Sequence, residues 1–523
     1  MFGRKPYLFA GVLACIAVLL SLSLSKRDHE VAGHGPRGIN NTILLLSNYE
    51  YGLANVLLAT SHALLVHHND IQVHFASFPQ RQADALKISK FAREQFPDAG
   101  SITFHTIYGP TYGDALNAQG HFIDQAIHPP GVVGGAQLCR NMQMYLMPWN
   151  GSEYLNLYEQ VLRIIDDVDP ALVVLDPQFG PAFDATKERR RRHAVISPNS
   201  LRDSFAQYQP WGSMFWKYPA MGSGFPYPVP WSLIPANIFM NLRFIYSVLA
   251  TPDLAAKKKY LKERGLSNPA DFFSVYNDQM TWICQSALEA DFPISIVPEN
   301  VKACGPIYLD TAPAAGQDPE LASWLAQAPT VLINLGSTTD YDEESAVQMA
   351  KAIEILLGAT NVQVLWKFKR RKYQNYTADF SDDFLGPLKD MLGSRLRLEK
   401  WIQIDPAAMM KTGNIIASVH HGGANCYHEA IGNGIAQVVL PKWVDLYDYA
   451  TRVEYLGVGV WGNKASAPDW TADELSAAFL KVVGENDEAV MIRQRAKDLG
   501  GLFQGTPGDA CAARELARMA KID

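Results

Sequence analysis

The chain lacks two features that would point to common classes of protein. Its basic residues do not outnumber its acidic ones, and the formal net charge is −7. Phosphate backbones need a basic face, so this balance predicts no nucleic-acid partner. The six cysteines show no CxxC or CxxH spacing and predict neither a disulfide framework nor a zinc site. They are Cys15, Cys139, Cys284, Cys304, Cys426 and Cys511.

A long uncharged apolar run is present at the N-terminus. Residues 7–25 carry no charge and have two basic residues on each side. Eighteen helical residues span about 27 Å, close to the hydrocarbon core of about 30 Å. The run therefore predicts a single-pass anchor in the endoplasmic reticulum or a related endomembrane, with a cleaved signal peptide as the alternative. Asn40, Asn150 and Asn375 begin N-glycosylation triplets, which slightly favour a lumenal body.

Short apolar runs alternate with helical patterns in both halves of the chain. The first half predicts strands at Thr42–Ser47, Ile71–Ala76 and Ala171–Leu175. The second half repeats the rhythm, with strands predicted at Pro329–Leu335, Val362–Trp366, Ile415–Val419 and Gln437–Leu440. This alternation predicts two tandem doubly wound α/β domains, each with a parallel sheet covered on both faces. The join is expected between residues 300 and 317, where Pro, Gly and Ala accumulate.

Residues 205–231 have a different composition, with nine aromatic residues and five prolines. Proline disfavours regular structure and aromatic rings favour burial, so a long ordered loop is predicted here. Three interpretations stay open: a loop packed on its own domain, a surface that rests on a membrane, or a wall of an apolar substrate site that includes Trp211 and Phe215. Two basic runs, residues 189–192 and 367–372, are expected to be solvated surface charge.

The stretch VHHGGANCYHEA, Val419–Ala430, lies where a predicted strand ends and a helix begins. In open α/β sheets, ligands bind beyond the carboxyl ends of the strands. Gly422 and Gly423 permit close approach to the backbone, and the helix offers unpaired N–H groups. An adjacent imidazole can donate a further hydrogen bond. The combination predicts a diphosphate site.

A metal site explains the same histidines less well. His420 and His421 are neighbours whose side chains diverge, and no other ligand lies at useful spacing. Residues 167–169 have the DxD form that some metal-dependent sugar transferases use, but they fall between a helix and a strand and predict a solvated turn. No metal and no other cofactor is expected.

The segment from Trp401 to Val460 resembles the donor-binding signature of the family 1 UDP-glycosyltransferases, in particular a branch found in filamentous fungi. That signature has a tryptophan, then H-x-G-x-N-[ST]-x-x-E, then G-[VI]-P, then P-x-x-x-D-Q. The matching residues here are Trp401, His421, Gly423, Asn425, Cys426, Glu429, Gly434, Ile435, Pro441 and Asp445. The resemblance covers residues 40–520 and includes Gly336 and Ser337 after the first strand of the second half.

The resemblance implies a role for each of these residues. Trp401 would stack on uracil, Glu429 would bind the ribose hydroxyls, and Asp445 would hold sugar hydroxyls. The diphosphate would lie against Gly336, Ser337, His421, Gly423, Asn425 and Cys426. Leu446 replaces the usual glutamine and Ala436 replaces the usual proline, so the identity of the sugar is not implied.

The resemblance also implies a GT-B fold, in which two Rossmann-like domains face each other across a cleft. Residues 39–300 would bind the acceptor and residues 310–505 the UDP-sugar donor. A final helix over residues 506–523 would pack back on the first domain.

The usual catalytic base of the family is replaced. Members carry a histidine just after the first strand, paired with an aspartate, whereas Leu53 stands at that position and would line the acceptor site. His62 lies nine residues further along the helix and faces the opposite side. Asp176 matches the aspartate and is expected to be half-buried, with a raised pKa, and to take the proton itself. A turn residue is the alternative interpretation of Asp176, and Glu50 is a weaker candidate because exposed loop acids are common.

Taken together, the chain is predicted to be an inverting, metal-independent UDP-glycosyltransferase. It would move a hexose, with glucose as the first choice, to a hydroxyl of a lipophilic sterol, terpenoid or polyketide-like molecule. A non-catalytic nucleotide-sugar-binding subunit is one alternative, since Leu53 cannot accept a proton. A nucleotide-sugar epimerase is another, since it shares the two-domain architecture.

Overall fold

The computed structural model describes residues 38–121, 123–270, 275–276, 280–337, 339–373, 376–377, 380–505 and 507–521. The predicted anchor over residues 7–25 and the triplet at Asn375 lie outside these residues. Within them the chain forms two α/β domains, each built on a parallel sheet. The prediction of two tandem domains of this class is confirmed.

The first domain contains seven parallel strands in the order β3-β2-β1-β4-β5-β6-β7. They are β1 Ile39–Leu46, β2 Gln72–Ser77, β3 Thr103–Thr106, β4 Pro170–Leu175, β5 His193–Ser197, β6 Thr281–Cys284 and β7 Val301–Ala303. The helices of its outer layers are α1 Tyr51–His67, α2 Gln82–Gln95, α3 Tyr112–Ala118, α4 Gly131–Arg140, α5 Met142–Leu146, α6 Gly151–Val168, α7 Gly180–Glu188, α8 Leu201–Phe205, α9 Ser213–Trp216, α10 Ile234–Leu249 and α11 Pro252–Lys262. Every residue of β4 is buried, as expected for a central strand with helices on both faces.

The second domain contains six parallel strands in the order β12-β9-β8-β13-β14-β15, with a small β10-β11 hairpin beside them. The strands of the sheet and of the hairpin, in chain order, are β8 Thr330–Ile333, β9 Gln363–Lys367, β10 Lys372–Tyr373, β11 Tyr376–Thr377, β12 Leu396–Glu399, β13 Ile415–His420, β14 Ala436–Val439 and β15 Gly459–Trp461. The helices are α12 Ala314–Gln317, α13 Pro319–Leu325, α14 Glu343–Ala359, α15 Pro406–Met410, α16 Ala424–Gly432, α17 Leu446–Leu456, α18 Ala472–Val483 and α19 Asp487–Gly501.

Buried ion pairs fasten the two domains together. The Arg202 guanidinium of the first domain donates to a carboxylate oxygen of Asp448 in the second at 2.5 Å. In the other direction, Arg452 of the second domain lies 3.0 Å from the carboxylate of Asp291 in the first. Removing one partner of a buried pair leaves an uncompensated charge, which is strongly destabilising. These pairs therefore hold α17 against the first domain.

The last helix, α20 Gly508–Ala520, returns to the first domain and packs against α1. Cys511 in α20 forms a disulfide with Cys304, which lies just after β7 in the segment that joins the domains. The spacing of the cysteines gave no prediction of this disulfide. The two residues are 207 positions apart, so no local spacing could reveal the pair.

Replacing Cys511 with serine is expected to lower the free energy of unfolding by about 2–4 kcal/mol, because the crosslink restricts the unfolded chain. Thermal unfolding should be measured for the wild type and C511S, each with and without a reductant. Reductant should bring the wild-type midpoint down to that of C511S and leave C511S unchanged. A wild-type midpoint that does not respond to reductant would show that the disulfide is absent.

Within the described ranges, the stretch Trp231–Lys262 is long and apolar enough to cross a membrane. It lies far from the N-terminus and lends no support to the predicted N-terminal span. The stretch is interrupted, because α10 ends at Leu249 and α11 begins with Pro252. Only 17% of its most apolar window is buried, so α10 presents an apolar face to the exterior.

Candidate active site

The turn from β13 into α16 holds the His421 ring between two glycines. A Cβ atom added at Gly336 or at Gly423 would lie 2.6 Å from Cε1 of His421, closer than packed atoms permit. Gly336 also has φ +82°, in the left-handed region that favours glycine. Any side chain at Gly336 or Gly423 would therefore collide with the His421 ring. This fixes His421 at the carboxyl ends of β8 and β13.

His421 is a neutral hydrogen-bonding group in this position. Burial, together with the neighbouring His420, Lys367 and Lys442, lowers the pKa of His421 to about 3. Its Nδ1 atom is buried and has no hydrogen-bond partner among the residues that the structure describes. A buried ring nitrogen without a partner is costly, and a phosphate oxygen would satisfy it as an acceptor.

His420 has a different role, because both of its ring nitrogens are engaged. Its Nδ1 accepts the Gly422 N–H at 3.0 Å, so the proton is on Nε2, which lies 2.8 Å from the Gln437 amide oxygen. His420 thus shapes the turn and does not face a ligand. Within the described ranges, no group of three or more His, Cys, Asp or Glu side chains could hold a metal ion.

The surroundings of His421 are electropositive. The first intrahelical bond of α16 runs from the Tyr427 N–H to the Gly423 carbonyl. Among the described residues the backbone N–H groups of Ala424 and Asn425 have no partner, so they can donate to an anion. Lys367 donates to the carbonyl of Gly336 at 3.0 Å, and Lys442 is buried nearby. Burial lowers the pKa of both lysines. A helix terminus, two lysines and an imidazole without a partner among the described residues are groups that can stabilise an anion, as the predicted diphosphate site requires.

The two lysines were missed by the sequence interpretation. Lys367 begins the basic run at residues 367–372, which was expected to be solvated charge. It ends β9 instead, and its side chain turns into the site. Lys442 lies inside the P-x-x-x-D segment, where the resemblance assigned no role to it. A lysine at the carboxyl end of a predicted strand was the available signal for Lys367.

Trp401 is a partly exposed aromatic residue beside this site. Its side chain is 47% exposed, and the Lys367 Nζ lies 4.2 Å from the ring centre. The ring of Tyr51, the first residue of α1, lies 6.2 Å away on the first-domain side. The exposed part of the Trp401 ring is available to stack on a flat base, as the resemblance implies.

Glu429 is a buried acid without a donor. It lies in the second turn of α16, and among the described residues no hydrogen-bond donor reaches its carboxylate. Burial, with a smaller contribution from Asp405, raises the pKa of Glu429 to about 8. Such a group gains most from a ligand that brings hydroxyl donors, as a ribose does.

The other predicted diphosphate contacts lie at the same strand ends but face different partners. Asn425 donates to the Tyr51 carbonyl at 3.3 Å and accepts from Gln285 at 3.2 Å, so its amide links the domains. Burial raises the pKa of the Cys426 thiol to about 12, which keeps it neutral. Ser337 is exposed beside Gly336. Their predicted contacts to a diphosphate stay predictions.

Asp445 lies at the N-terminal end of α17, at the edge of the same site. Burial and the nearby Asp203 raise the pKa of its carboxyl to about 7. The adjacent Trp443 ring lies 6.0 Å from the ring of His421. The segment that carries Asp445 thus contacts the His421 ring through Trp443, while the charged groups that act on the Asp445 carboxylate are Asp203, Arg452 and Arg202.

The candidate bases are at the carboxyl end of the first sheet. Asp176 directly follows β4 and is fully buried, so the expectation of a half-buried carboxylate is wrong. Its oxygens accept the backbone N–H groups of Asn48 at 3.0 Å and Gln178 at 2.9 Å. Burial raises the pKa of Asp176 to about 6, despite these hydrogen bonds. The loop after β1 is therefore tied to this carboxylate.

Glu50 is close enough to Asp176 for its charge to act on it. It is partly buried and accepts a hydrogen bond from the Gly113 backbone, so the expectation of an exposed loop acid is wrong. Burial raises the pKa of Glu50. Leu53 lies one helical turn further on, where its N–H donates to the Glu50 carbonyl at 3.0 Å. His62 stacks on Phe91 of α2 and lies outside this group.

Trp211 and Phe215 are not part of the donor-side group. Trp211 is 91% exposed on the outer surface, and its carbonyl accepts the Trp216 indole N–H at 3.0 Å. Phe215 is partly buried, and its carbonyl accepts from Asn237 in α10. Their predicted contact with an acceptor stays a prediction.

Two facing parallel-sheet domains, with an anion site at one set of strand ends and buried acids at the other, define a nucleotide-sugar-dependent transferase of the GT-B class. The family model described as UDP-glucoronosyl and UDP-glucosyl transferase matches residues 236–496. The chain is 33% identical to glycosyltransferase sdnJ of Sordaria araneosa over 494 residues. The aligned region covers 89% of this chain and 95% of that protein. The chain therefore belongs to the UDP-glycosyltransferase family and is a UDP-glycosyltransferase.

More distant proteins are also similar to this chain in sequence or in fold. A 2-hydroxyacylsphingosine 1-beta-galactosyltransferase of Mus musculus is 26% identical over 279 residues, which cover 52% of this chain and 44% of that protein. A UDP-glucosyltransferase from Polygonum tinctorium, solved in complex with 3,4-dichloroaniline, superposes with a TM-score of 0.59 at 15% identity, over 94% of this chain and 100% of that one. Phytolacca americana UGT2, solved with UDP-2-fluoro-glucose and pterostilbene, gives a TM-score of 0.57 at 13% identity, over 92% and 99%.

Proposed function

We propose that the protein transfers a hexose, glucose in first place, from a UDP-sugar to a hydroxyl of a lipophilic small molecule, with inversion and without a metal. The observation that carries this proposal is the Nδ1 atom of His421, which has no hydrogen-bond partner among the described residues and lies at the N-terminus of α16 within reach of the charges of Lys367 and Lys442. Residues 310–505 would bind the donor and residues 39–300 the acceptor. The final helix, residues 506–523, is assigned to the first domain.

In the proposed reaction, the acceptor oxygen attacks the anomeric carbon on the face opposite the diphosphate. The new C–O bond forms as the bond to the β-phosphate oxygen breaks, and UDP leaves with that electron pair. The helix terminus, His421 and the lysines stabilise the departing phosphate charge in place of a metal. The proton of the acceptor hydroxyl passes to Asp176, with Glu50 as the second candidate.

The lipophilic acceptor is supported by an apolar outer surface on the first domain. Trp211 and Trp231 are 91% and 89% exposed, and Phe239, Tyr246 and Leu249 of α10 are also exposed. At about 24 Å, a 16-residue helix is shorter than the hydrocarbon core, so it suits a position along a membrane surface better than across it. The relative that acts on an acylsphingosine, by its name, agrees with a lipophilic acceptor.

Membrane association and a lumenal location belong to the same proposal. Residues 7–25 are proposed as the anchor. The Cys304–Cys511 disulfide is typical of an oxidising compartment, and both Asn40 and Asn150 are exposed as glycosylation requires. These observations support an endomembrane enzyme whose body faces the lumen.

The test is incubation of the purified protein with UDP-glucose, UDP-galactose and UDP-glucuronic acid, each with a panel of sterol, terpenoid and polyketide alcohols. We expect a product heavier by one hexose from UDP-glucose, with the anomeric configuration opposite to that of the donor. Chelator should not reduce the rate. Transfer only from UDP-glucuronic acid, retention of configuration, or loss of activity in chelator would each contradict a part of the proposal.

Replacing Leu53 with histidine is expected to raise the rate of transfer to an alcohol by about tenfold or more, since a positioned base contributes roughly 10²–10⁴-fold. The imidazole would stand where the family usually has its base, on the same sheet end as Asp176. Leu53→Gln is the matched control, because it adds a polar side chain of similar size that cannot act as a base near neutral pH. Equal rates in both variants would mean that a base at this position does not limit transfer.

A further inference from the structure

The loop of residues 441–445, between β14 and α17, has a strained backbone. Val444 has φ 36°, in the left-handed region that a β-branched residue rarely adopts. Asp445, the residue to which the resemblance assigns the sugar hydroxyls, follows directly as the N-cap residue of α17. Strain of this kind persists only where surrounding contacts hold it.

His128 of the first domain provides those contacts. The Nε2 atom of His128 accepts the Val444 backbone N–H at 2.9 Å, and the backbone N–H of His128 donates to the Lys442 carbonyl at 3.0 Å. The Tyr447 hydroxyl donates to the His128 carbonyl. The Nδ1 atom of His128 lies 2.8 Å from the Pro129 carbonyl oxygen, which can only accept a hydrogen bond. The ring proton is therefore on Nδ1, and Nε2 is free to accept.

The fold makes room for this ring and keeps it neutral. A Cβ atom at Gly134 would lie 2.6 Å from the His128 Nδ1, and one at Gly222 would lie 3.1 Å from Cε1. Burial lowers the pKa of His128. A protonated ring would point a second donor at the Val444 N–H, so the contact exists only in the neutral form.

A second first-domain residue faces the same loop. Tyr145 of α5 packs in the cluster that contains Val444, and its hydroxyl is buried without a partner among the described residues. The Asp445 carboxylate is near enough to act on this hydroxyl. Leu446, at the usual glutamine position, is buried and has no polar group to offer. Leu446 thus offers no polar contact, and the Tyr145 hydroxyl is an unused donor near the Asp445 carboxylate.

We propose that the first domain completes the sugar-binding end of the donor site. His128 is a positioning residue that fixes Asp445 through the backbone of Val444. Tyr145 is a specificity-determining residue whose hydroxyl binds a sugar hydroxyl beside Asp445, in the role left open by Leu446. This inference rests on the proposed function, since it assumes that a UDP-sugar occupies the site.

The test compares affinity for UDP with affinity for UDP-glucose, UDP-galactose and UDP-glucuronic acid by calorimetry. Tyr145→Phe removes only the hydroxyl. The asparagine of His128→Asn extends only to the position of Nδ1, so it cannot accept the Val444 N–H. The longer glutamine of His128→Gln can place its amide oxygen near the position of Nε2. We expect Tyr145→Phe and His128→Asn to weaken binding of the preferred UDP-sugar about tenfold, with UDP changed by less than about twofold. His128→Gln should restore most of the loss.

Each other outcome separates this inference from the proposed function. Equal weakening of UDP and UDP-sugar in His128→Asn would mean a merely structural role and overturn the positioning claim. Unchanged UDP-sugar binding in Tyr145→Phe would overturn its assignment to the sugar. A wild-type protein that binds none of the UDP ligands would refute the proposed function instead.

Discussion

Replacing Asp176 with asparagine is expected to reduce the rate of glycosyl transfer by at least about 100-fold, the typical contribution of a general base. The carboxylate is buried at the end of β4, and burial raises its pKa to about 6. It is therefore mostly ionised at neutral pH yet basic enough to take a proton. The wild-type rate should rise with pH through about 6, because only the ionised form accepts the proton, and this limb should vanish in the variant.

This substitution needs two controls, because asparagine cannot accept from both backbone N–H groups that Asp176 now satisfies. Its amide nitrogen would face a donor, which costs about 1–3 kcal/mol of stability. Thermal unfolding and UDP binding show whether the variant stays folded. Glu50→Gln is the matched variant at the second acid and should keep most of the activity. If Glu50→Gln is inactive and Asp176→Asn is active, the roles are reversed.

Replacing Glu429 with alanine is expected to weaken UDP binding by about 100-fold, since hydrogen bonds to a charged group contribute about 1.5–3 kcal/mol. Its carboxylate has no donor within the described part of the chain, so a ribose would supply the first ones. Glu429→Gln is the control, because its amide keeps one acceptor and should lose less. Calorimetry measures both, and wild-type affinity in Glu429→Ala would remove this residue from the donor site.

The pKa of Glu429 gives a second expectation. Burial raises it from 4.5 to about 8, so the folded protein keeps a proton that the unfolded chain has already lost. The free energy of unfolding should therefore fall as pH rises between these two values. Ribose donors favour the ionised form, so UDP binding near pH 7 should release a proton. Calorimetry in buffers of different ionisation enthalpy would detect the release, and Glu429→Gln should abolish it.

The strands that the sequence predicted are those with long apolar runs. Predicted Ile415–Val419 compares with β13 Ile415–His420, and predicted Thr42–Ser47 with β1 Ile39–Leu46. Short strands such as β3 Thr103–Thr106 were not predicted. Four residues with polar members give no clear period, and only pairing with β2 makes them a strand.

The donor side of the site was predictable because its residues lie close together in sequence. Val419–Ala430 contains the end of one strand and the start of the next helix, so both the local sequence pattern and the family resemblance could predict its structure. His128 and Tyr145 belong to another domain and have no local signature. Their relation to Asp445 exists only because the first domain closes on the second.

The sequence by itself determined two parallel α/β domains and predicted an anion site at the start of α16, since apolar periodicity and a Gly-rich helix start are local properties. The tertiary structure alone decided the complete burial of Asp176, the pairing of Cys304 with Cys511, and the contact of His128 with Val444. Burial and long-range contacts depend on which surfaces meet when the chain folds. That information is carried by no single segment.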